Sequence, residues 1–447
     1  MVQIAAVGGY GEVGRNCTAF KVGDDVVLVD LGLHLDHYIK FTEDEEEEVH
    51  DVSPKLLAAV GAIPDLSSIK DWDKQIRAVI LSHAHLDHIG AVPFLASHFE
   101  HVPIYGSAFT IEVLKELLKD KDIDAELDLR VVAPHKRVRV GKQLEFEFYP
   151  VTHSTPDTML VVLHTPEGDI VYANDFKLDN HPTLGKPVEI KPLEALKTNV
   201  LAVVCECLNA NEATKTPSES IAREMLHEVL LETKTTKKAI FVTTFSSHIA
   251  RLQSILEVAK ALDRKPVFLG RSLAKYIYAA KDAGIVDLTK QAEVIKYGAH
   301  VKKFLRHLDR PYRYVFITTG HQGEPKAVLS KIIDEHLFKF EPEDIVVFSC
   351  HTIPVPTIEA NRKHLEEKLR KLHLRVYTDV HVSGHASRED LREFLDILRP
   401  KYVVPSHGDP VMTKAYVGLA KEQGYSNDHI FAMTEGDRIT LPAGNRQ

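Results

Sequence analysis

Ser82-His83-Ala84-His85-Leu86-Asp87-His88-Ile89-Gly90 follows the apolar run Ile76-Arg77-Ala78-Val79-Ile80-Leu81, which has strand length and ends where the polar residues begin. Four metal-type side chains fall within six residues. His83 and His85 are two apart, so an extended backbone aims both to one side, which a helix would not. Asp87 and His88 come as the chain turns, and Gly90 permits a sharp bend into the next segment. Imidazole and carboxylate donors without cysteine suit zinc in an open, reactive site better than a closed structural one. A His-rich surface loop is the plainer alternative for a chain with 25 histidines. Solvated histidines, however, have no reason to adopt ligand spacing beside an aspartate.

The chain around this stretch has 447 residues, enough for two or three folding units. Its apolar content of 44% and charged content of 27% read as a soluble globular protein. No apolar run approaches the roughly 20 residues that span a bilayer. The amino-terminal stretch has no basic region of the signal-peptide kind. Cys17, Cys205, Cys207 and Cys350 are too few and too scattered for a disulfide framework. Together these features point to the cytoplasm. Net charge is −9, yet the run Glu43-Asp44-Glu45-Glu46-Glu47-Glu48 holds six of those charges. Basic residues gather at 135–139, 302–307 and 362–375. A groove can be positive in an acidic molecule, although each basic run taken singly reads as a solvated face.

Several strands end in a carboxylate or histidine. Val26-Val27-Leu28-Val29 leads to Asp30, and the alternating Leu144–Tyr149 leads to His153. Asp169–Ala173 leads to Asp175, Val200–Val204 to Glu206, and Tyr402-Val403-Val404 to His407. His385 is read as another strand-end residue. Residues 34–75 look like a surface excursion. From about residue 200, strands alternate with helices: Ser218–Leu231 reads as helical with Ser218 as cap, and Ser246-Ser247-His248 opens another helix. Such alternation gives α/β architecture, whose ligands collect at the carboxyl ends of strands. Seven candidates at strand ends suggest one shared site.

His83, His85, Asp87, His88, His153, Asp175 and His407 supply donors for two metals, which a carboxylate such as Asp175 can bridge. Two ions about 3.5–4 Å apart clamp the attacking and leaving oxygens of a displacement and bring bound water toward a pKa of roughly 7. No Ser–His–Asp nucleophile is evident.

In order and spacing the chain resembles the metallo-β-lactamase-fold hydrolases. Asp30 matches the first motif, His83 to His88 the second, His153 the third and Asp175 the fourth. Val382-Ser383-Gly384-His385-Ala386-Ser387 and Pro405-Ser406-His407-Gly408 are similar to motifs of the β-CASP nucleic-acid-processing branch, and Glu206 resembles its acidic motif. Gly11-Glu12-Val13-Gly14-Arg15-Asn16, Ile63-Pro64-Asp65-Leu66, Gly270-Arg271-Ser272 and Thr319-Gly320-His321-Gln322-Gly323-Glu324-Pro325 narrow the resemblance to the ribonuclease J family, in its short, archaeal-type form. The surroundings of His34-Leu35-Asp36-His37 and the acidic run depart from the bacterial pattern.

The resemblance implies an αββα sandwich with an inserted β-CASP α/β domain. Residues 1–200 and 376–447 would form the sandwich, 201–375 the insert, with RNA entering between them. It implies two Zn2+ per chain, with Mn2+ or Mg2+ able to substitute. His83, His85 and His153 would hold one ion, Asp87, His88 and His407 the other, and Asp175 both. His385 would protonate the departing 3′ oxygen, oriented by Glu206, and Asp30 would steady ligand histidines from behind. A carboxylate neighbour keeps a histidine protonated at neutral pH, as a general acid requires.

Ser246-Ser247-His248 and Gly384-His385-Ala386-Ser387 stand at helix starts, and Ser387 with Asp390 reads as a capping box. Helix N-termini bind phosphate. The resemblance implies that these two form a pocket for the 5′-monophosphate of single-stranded RNA, giving 5′-to-3′ exonuclease action. The plainer reading is that the serines only cap helices. An endonuclease of the mRNA 3′-end-processing kind shares the motifs and is the alternative. Small-molecule hydrolases of this fold lack the insert, and an RNA-binding scaffold with structural zinc would use cysteine. A homodimer is compatible with all of these.

Overall fold

The computed structural model describes residues 1–44, 53–121, 123, 125–353 and 356–442. Most of the acidic run, 45–48, lies outside them. Strands are numbered along the chain. The chain divides into two units: Met1–Leu178, Pro187–Thr216 and Gly384–Gln447 form the first, and Asp179–Lys186 with Pro217–Ser383 the second.

The first unit holds two sheets. One runs β19 (Arg438–Leu441), β1 (Val2–Gly8), β2 (Cys17–Val22), β3 (Asp25–Val29), β4 (Ile76–Ile80), β5 (Ile104–Gly106) and β6 (Leu129–Val131). The other runs β18 (Tyr402–Ser406), β11 (Val200–Glu206), β10 (Gly168–Ala173), β9 (Thr158–Thr165), β8 (Glu145–Val151) and β7 (Val138–Arg139). Alternate side chains of both sheets, including Phe20, Val29, Ile80, Phe148 and Tyr172, form a shared buried core. The opposite face of the second sheet is covered by helices Ile190–Leu196, Arg388–Leu398 and Pro410–Glu422 through Leu193, Phe394 and Tyr416. Strands buried on both faces read as the unbroken apolar runs Ile170-Val171-Tyr172-Ala173 and Leu201-Ala202-Val203-Val204.

Strand direction positions the site. β10, β11 and β18 are parallel neighbours, and β8 lies antiparallel to β9, which lies antiparallel to β10. β8, β10, β11 and β18 therefore exit at one edge of their sheet. β3 and β4 are likewise parallel. The sequence reading broke the chain after residue 200, but β11 is hydrogen-bonded between β10 and β18, so its residues stay with the first unit up to Thr216. The presumed excursion at 34–75 contains helix Leu35–Asp44, helix Pro54–Ala59 and a 3-10 segment Leu66–Gln75 that buries Ile69 and Trp72.

The second unit is built on a six-stranded parallel sheet, β14 (Glu293–Ile295), β13 (Lys265–Leu269), β15 (Tyr314–Thr318), β12 (Ile240–Thr243), β16 (Ile345–Phe348) and β17 (Arg375–Tyr377). Phe241, Phe316 and Phe348 anchor one apolar face. No helix among the described residues is long and apolar enough to cross a membrane.

Within this unit Arg251 is fully buried. Its Nε and Nη2 donate to Glu219 at 2.6 and 2.9 Å, and its Nη1 donates to the Ser349 carbonyl and hydroxyl and to the Val380 carbonyl. Removing one partner of a buried ion pair strands the other charge. Arg251→Leu is expected to cost the second unit about 3–5 kcal/mol. Glu219→Leu combined with Arg251→Leu should cost clearly less, with amide hydrogen exchange of β12 and β16 as the measure.

Candidate metal centre

Each strand of the rim ends by delivering one or two polar side chains. β4 runs out into Ser82 and His83, and the chain then makes a short helical turn, Leu86–Ile89, with His85 at its N-cap position. Asp30, Asp175 and His407, one or two residues beyond β3, β10 and β18, all have left-handed backbone, with φ of 64°, 63° and 48°. Such a conformation is uncommon outside glycine, and its clustering at strand exits marks a site. It turns the chain sharply at the point where a donor is needed.

Two donor groups result. His83, His85, His153 and Asp175 form the first, and Asp87, His88, Asp175 and His407 the second, with all donor atoms of a group within 4.8 Å of one another. In the first, His85 Nδ1 stands 3.1 Å from both His83 Nε2 and His153 Nε2. Asp175 Oδ2 lies 3.3 Å from His83 Nε2 and 3.4 Å from His153 Nε2. In the second, Asp175 Oδ1 is 3.3 Å from the Nε2 atoms of both His88 and His407, and Asp87 Oδ2 is 3.6 Å from both. Donors 2.0–2.2 Å from a shared tetrahedral centre would stand about 3.3–3.6 Å apart; the second group matches this, and in the first only His85 departs, standing 3.9 Å from Asp175 Oδ2 and slightly closer to the two rings. Neither oxygen of Asp175 accepts a hydrogen bond, although the residue is 1% exposed. Orphaned buried carboxylate oxygens facing histidine nitrogens fit a pair of divalent cations.

Behind the donors lies a hydrogen-bonded support. Asp30 accepts from the Ser82 amide, the Ser82 hydroxyl and the Tyr172 hydroxyl at 2.8, 2.8 and 3.0 Å, and lies 2.7 Å from His88 Nδ1. This leaves His88 Nε2 directed at Asp175. His153 Nδ1 meets the Gly384 carbonyl at 2.7 Å. Ser406 donates to Asn174, and Asn174 donates to Tyr172 and Asn16. Burial together with His88 lowers His83 to about 4, and burial lowers His153 well below its usual range. Both rings are therefore neutral at pH 7, the form that donates a lone pair. Burial opposes ionisation of Asp175, but His88, His407 and His385 outweigh it and hold the carboxyl well below its usual range.

A third group joins Asp175, Glu206 and His385. Glu206 is wholly buried, accepts from the Phe176 amide at 2.8 Å, and lies 2.8 Å from His385 Nδ1. Burial would depress His385; Glu206 and Asp175 more than offset it and raise it to about 9. His385 does not follow a strand as expected: it sits in the loop entering helix Arg388–Leu398, eight residues past β17.

All the expected metal and catalytic residues thus fall within the first unit. Of the expected phosphate residues, Gly384 supports His153, Ala386 is buried, and Ser387 forms the capping box with Asp390. Ser246, Ser247 and His248 belong to the second unit, just ahead of helix Ile249–Ala261, where His248 holds the N-cap position. Ser82, Tyr172, Asn16 and Asn174 escaped the sequence reading. Ser82 carried a signal as the residue joining strand to first ligand, and Asn16 as the last residue of the motif Gly11–Asn16.

Three family profiles match the chain. The metallo-beta-lactamase superfamily covers residues 10–217, the ribonuclease J beta-CASP domain 237–365, and the Zn-dependent metallo-hydrolase RNA specificity domain 370–433. Ribonuclease J of Pyrococcus abyssi is 40% identical over 446 residues, 99% of this chain and 98% of that protein. The chain belongs to the ribonuclease J family. Ribonuclease J of Methanocaldococcus jannaschii is also 40% identical, over 95% of each chain. Ribonuclease J 1 of Streptococcus pyogenes is 30% identical over 98% of this chain but 74% of its own. A crystal structure of an Enterococcus faecalis protein of unknown function shares the fold at a TM-score of 0.65 and 17% identity, covering 98% of this chain and 99% of that one. A member of this family is a metal-dependent ribonuclease, and the two donor groups are where its divalent ions would be held.

Loss of a support behind a ligand histidine typically weakens metal binding 10–100-fold. Asp30→Asn is expected to loosen the second ion by about that factor, read by competition with a chelator, while the fold is retained by circular dichroism.

Proposed function

We propose that the chain is a two-zinc ribonuclease that removes nucleotides from the 5′-monophosphate end of single-stranded RNA. The observation that carries this reading is Asp175, whose two bare oxygens each face a separate set of histidines. His83, His85 and His153 would hold one ion with Asp175, and Asp87, His88 and His407 the other. Nitrogen and oxygen donors without cysteine favour Zn2+, with Mn2+ or Mg2+ able to replace it. When bound, such a pair supplies hydroxide at neutral pH and charge stabilisation for a phosphodiester.

The side chains then divide the remaining work. His385, anchored through Nδ1 on Glu206, holds its other nitrogen ready to deliver a proton to the departing 3′ oxygen. Glu206 is a positioning residue, itself fixed by the Phe176 amide. The preference for a 5′-phosphate is supported by helix starts in each unit taken by itself: Ser246-Ser247-His248 before Ile249–Ala261, and His385-Ala386-Ser387 before Arg388–Leu398. Four buried free cysteines suit a reducing cytoplasm.

His385→Ala is expected to lower the cleavage rate by about 10²–10⁴-fold with metal content intact. His85→Ala should lose both metal and activity. Unchanged RNA degradation in either variant would refute the assignment. With paired substrates, 5′-phosphorylated RNA should be consumed faster than 5′-hydroxyl RNA and yield mononucleotides. Internal fragments with no end preference would favour the 3′-end-processing type of endonuclease instead.

A further inference from the structure

Helix Gly298–Arg306 follows β14, the edge strand of the second unit. Val301 and Leu305 are buried, and Phe304 and Leu308 pack on the same apolar core. The opposite side is basic. Residues 296–313 contain six lysines and arginines and one acid, Asp309, in a chain whose net charge is −9. His300, Lys303, Arg306, Arg310 and Arg313 are exposed.

Most of these charges have no carboxylate partner, unlike several arginines elsewhere in the protein. Arg130 pairs with Asp128, Arg139 with Glu145, Arg392 with Glu422, and Arg438 with Asp71. Along this face only Lys302 reaches a carboxylate, Glu335, at 3.8 Å. Among the described residues, Lys296, Lys303, Arg306, Arg310 and Arg313 form no ion pair. Five uncompensated cations on a short stretch repel one another, and an external polyanion relieves that repulsion. An aromatic side chain lies among them. Tyr297 is 55% exposed, with Lys296 Nζ 5.7 Å from its ring centre and the His300 ring edge-on at 5.9 Å. Cations interleaved with an exposed aromatic ring are the ingredients of a surface that tracks single-stranded nucleic acid, phosphates on the charges and a base on the ring. The helix alone is about 14 Å long at 1.5 Å per residue, and the exposed Arg310 and Arg313 follow it in the segment that leads to β15.

We infer that this face of the second unit is an RNA-backbone surface, which holds the body of a substrate strand by its phosphates without reading sequence. It deepens the ribonuclease reading and rests on it.

The test uses the full chain and the variant Lys303→Ala/Arg306→Ala/Arg310→Ala/Arg313→Ala. All four side chains are exposed, so the melting temperature should not move. Affinity for a long 5′-phosphorylated RNA is measured across salt concentrations with cleavage suppressed by chelator, and turnover of a short oligonucleotide is measured with metal. Every phosphate that the protein no longer neutralises should make the plot of log affinity against log salt shallower by about 0.7. The variant is expected to drop about two to three in slope and about tenfold or more in affinity, with short-substrate turnover within about twofold. Tyr297→Ala should weaken binding about fivefold or more with the slope unchanged, because stacking releases no counterions. A wild-type protein that cuts RNA beside a variant of unchanged slope overturns the surface alone. So does a variant whose only change is loss of self-association or of an acidic protein partner. A wild-type protein that neither binds nor cuts RNA overturns the ribonuclease reading and this surface with it.

Discussion

A carboxylate buried without a hydrogen bond is the constraint on which the first unit turns. Asp175 sits 1% exposed at the exit of β10, and both of its oxygens face histidine nitrogens. Burying an unpaired charge is costly, so everything around it works to keep the anion tolerable. His88 and His407 attract it, His83 and His153 remain neutral, and a second ring of polar groups anchors those imidazoles from behind. Without an ion the neighbouring imidazoles supply the attraction that holds the anion in place, and a dication bound there would take over that role.

The support is built from strand geometry. Parallel strands bring their carboxyl ends to one rim, and a left-handed residue at three of those ends turns the side chain inward. Glycine then allows close approach: a β-carbon on Gly32 would stand 1.7 Å from the Asp87 carbonyl oxygen, and one on Gly384 would stand 3.0 Å from His153 Nδ1. The Asp87 backbone and the His153 ring therefore lie against bare backbone.

Much of this was legible in the amino-acid order. The spacing of His83, His85, Asp87 and His88 and the repeated plan of apolar strand followed by acid or histidine announced both the donors and their shared rim. The support was not legible. Asp30 and Tyr172 are 142 residues apart and meet only because β3 and β10 belong to the two facing sheets, and nothing local distinguishes Tyr172 from any core tyrosine. His385 reads as one more strand-end residue, whereas it lies in a loop and pairs with Glu206, 179 residues earlier. Likewise β11 reads like the strands that come after it. Its pairing with β10 on one side and with β18, some 200 residues on, at the other keeps it in the first unit. The basic run at 302–307 reads as an ordinary solvated face, since which of its cations find a carboxylate is a property of space and not of order.

The order in which the donors occur along the polypeptide also matters during synthesis. His83, His85, His153 and Asp175 are all made in the first 175 residues, but His385 and His407 emerge only after the whole second unit. A growing chain therefore holds one complete donor group long before it owns His385 or its second group. The second donor group cannot be assembled until translation has passed residue 407.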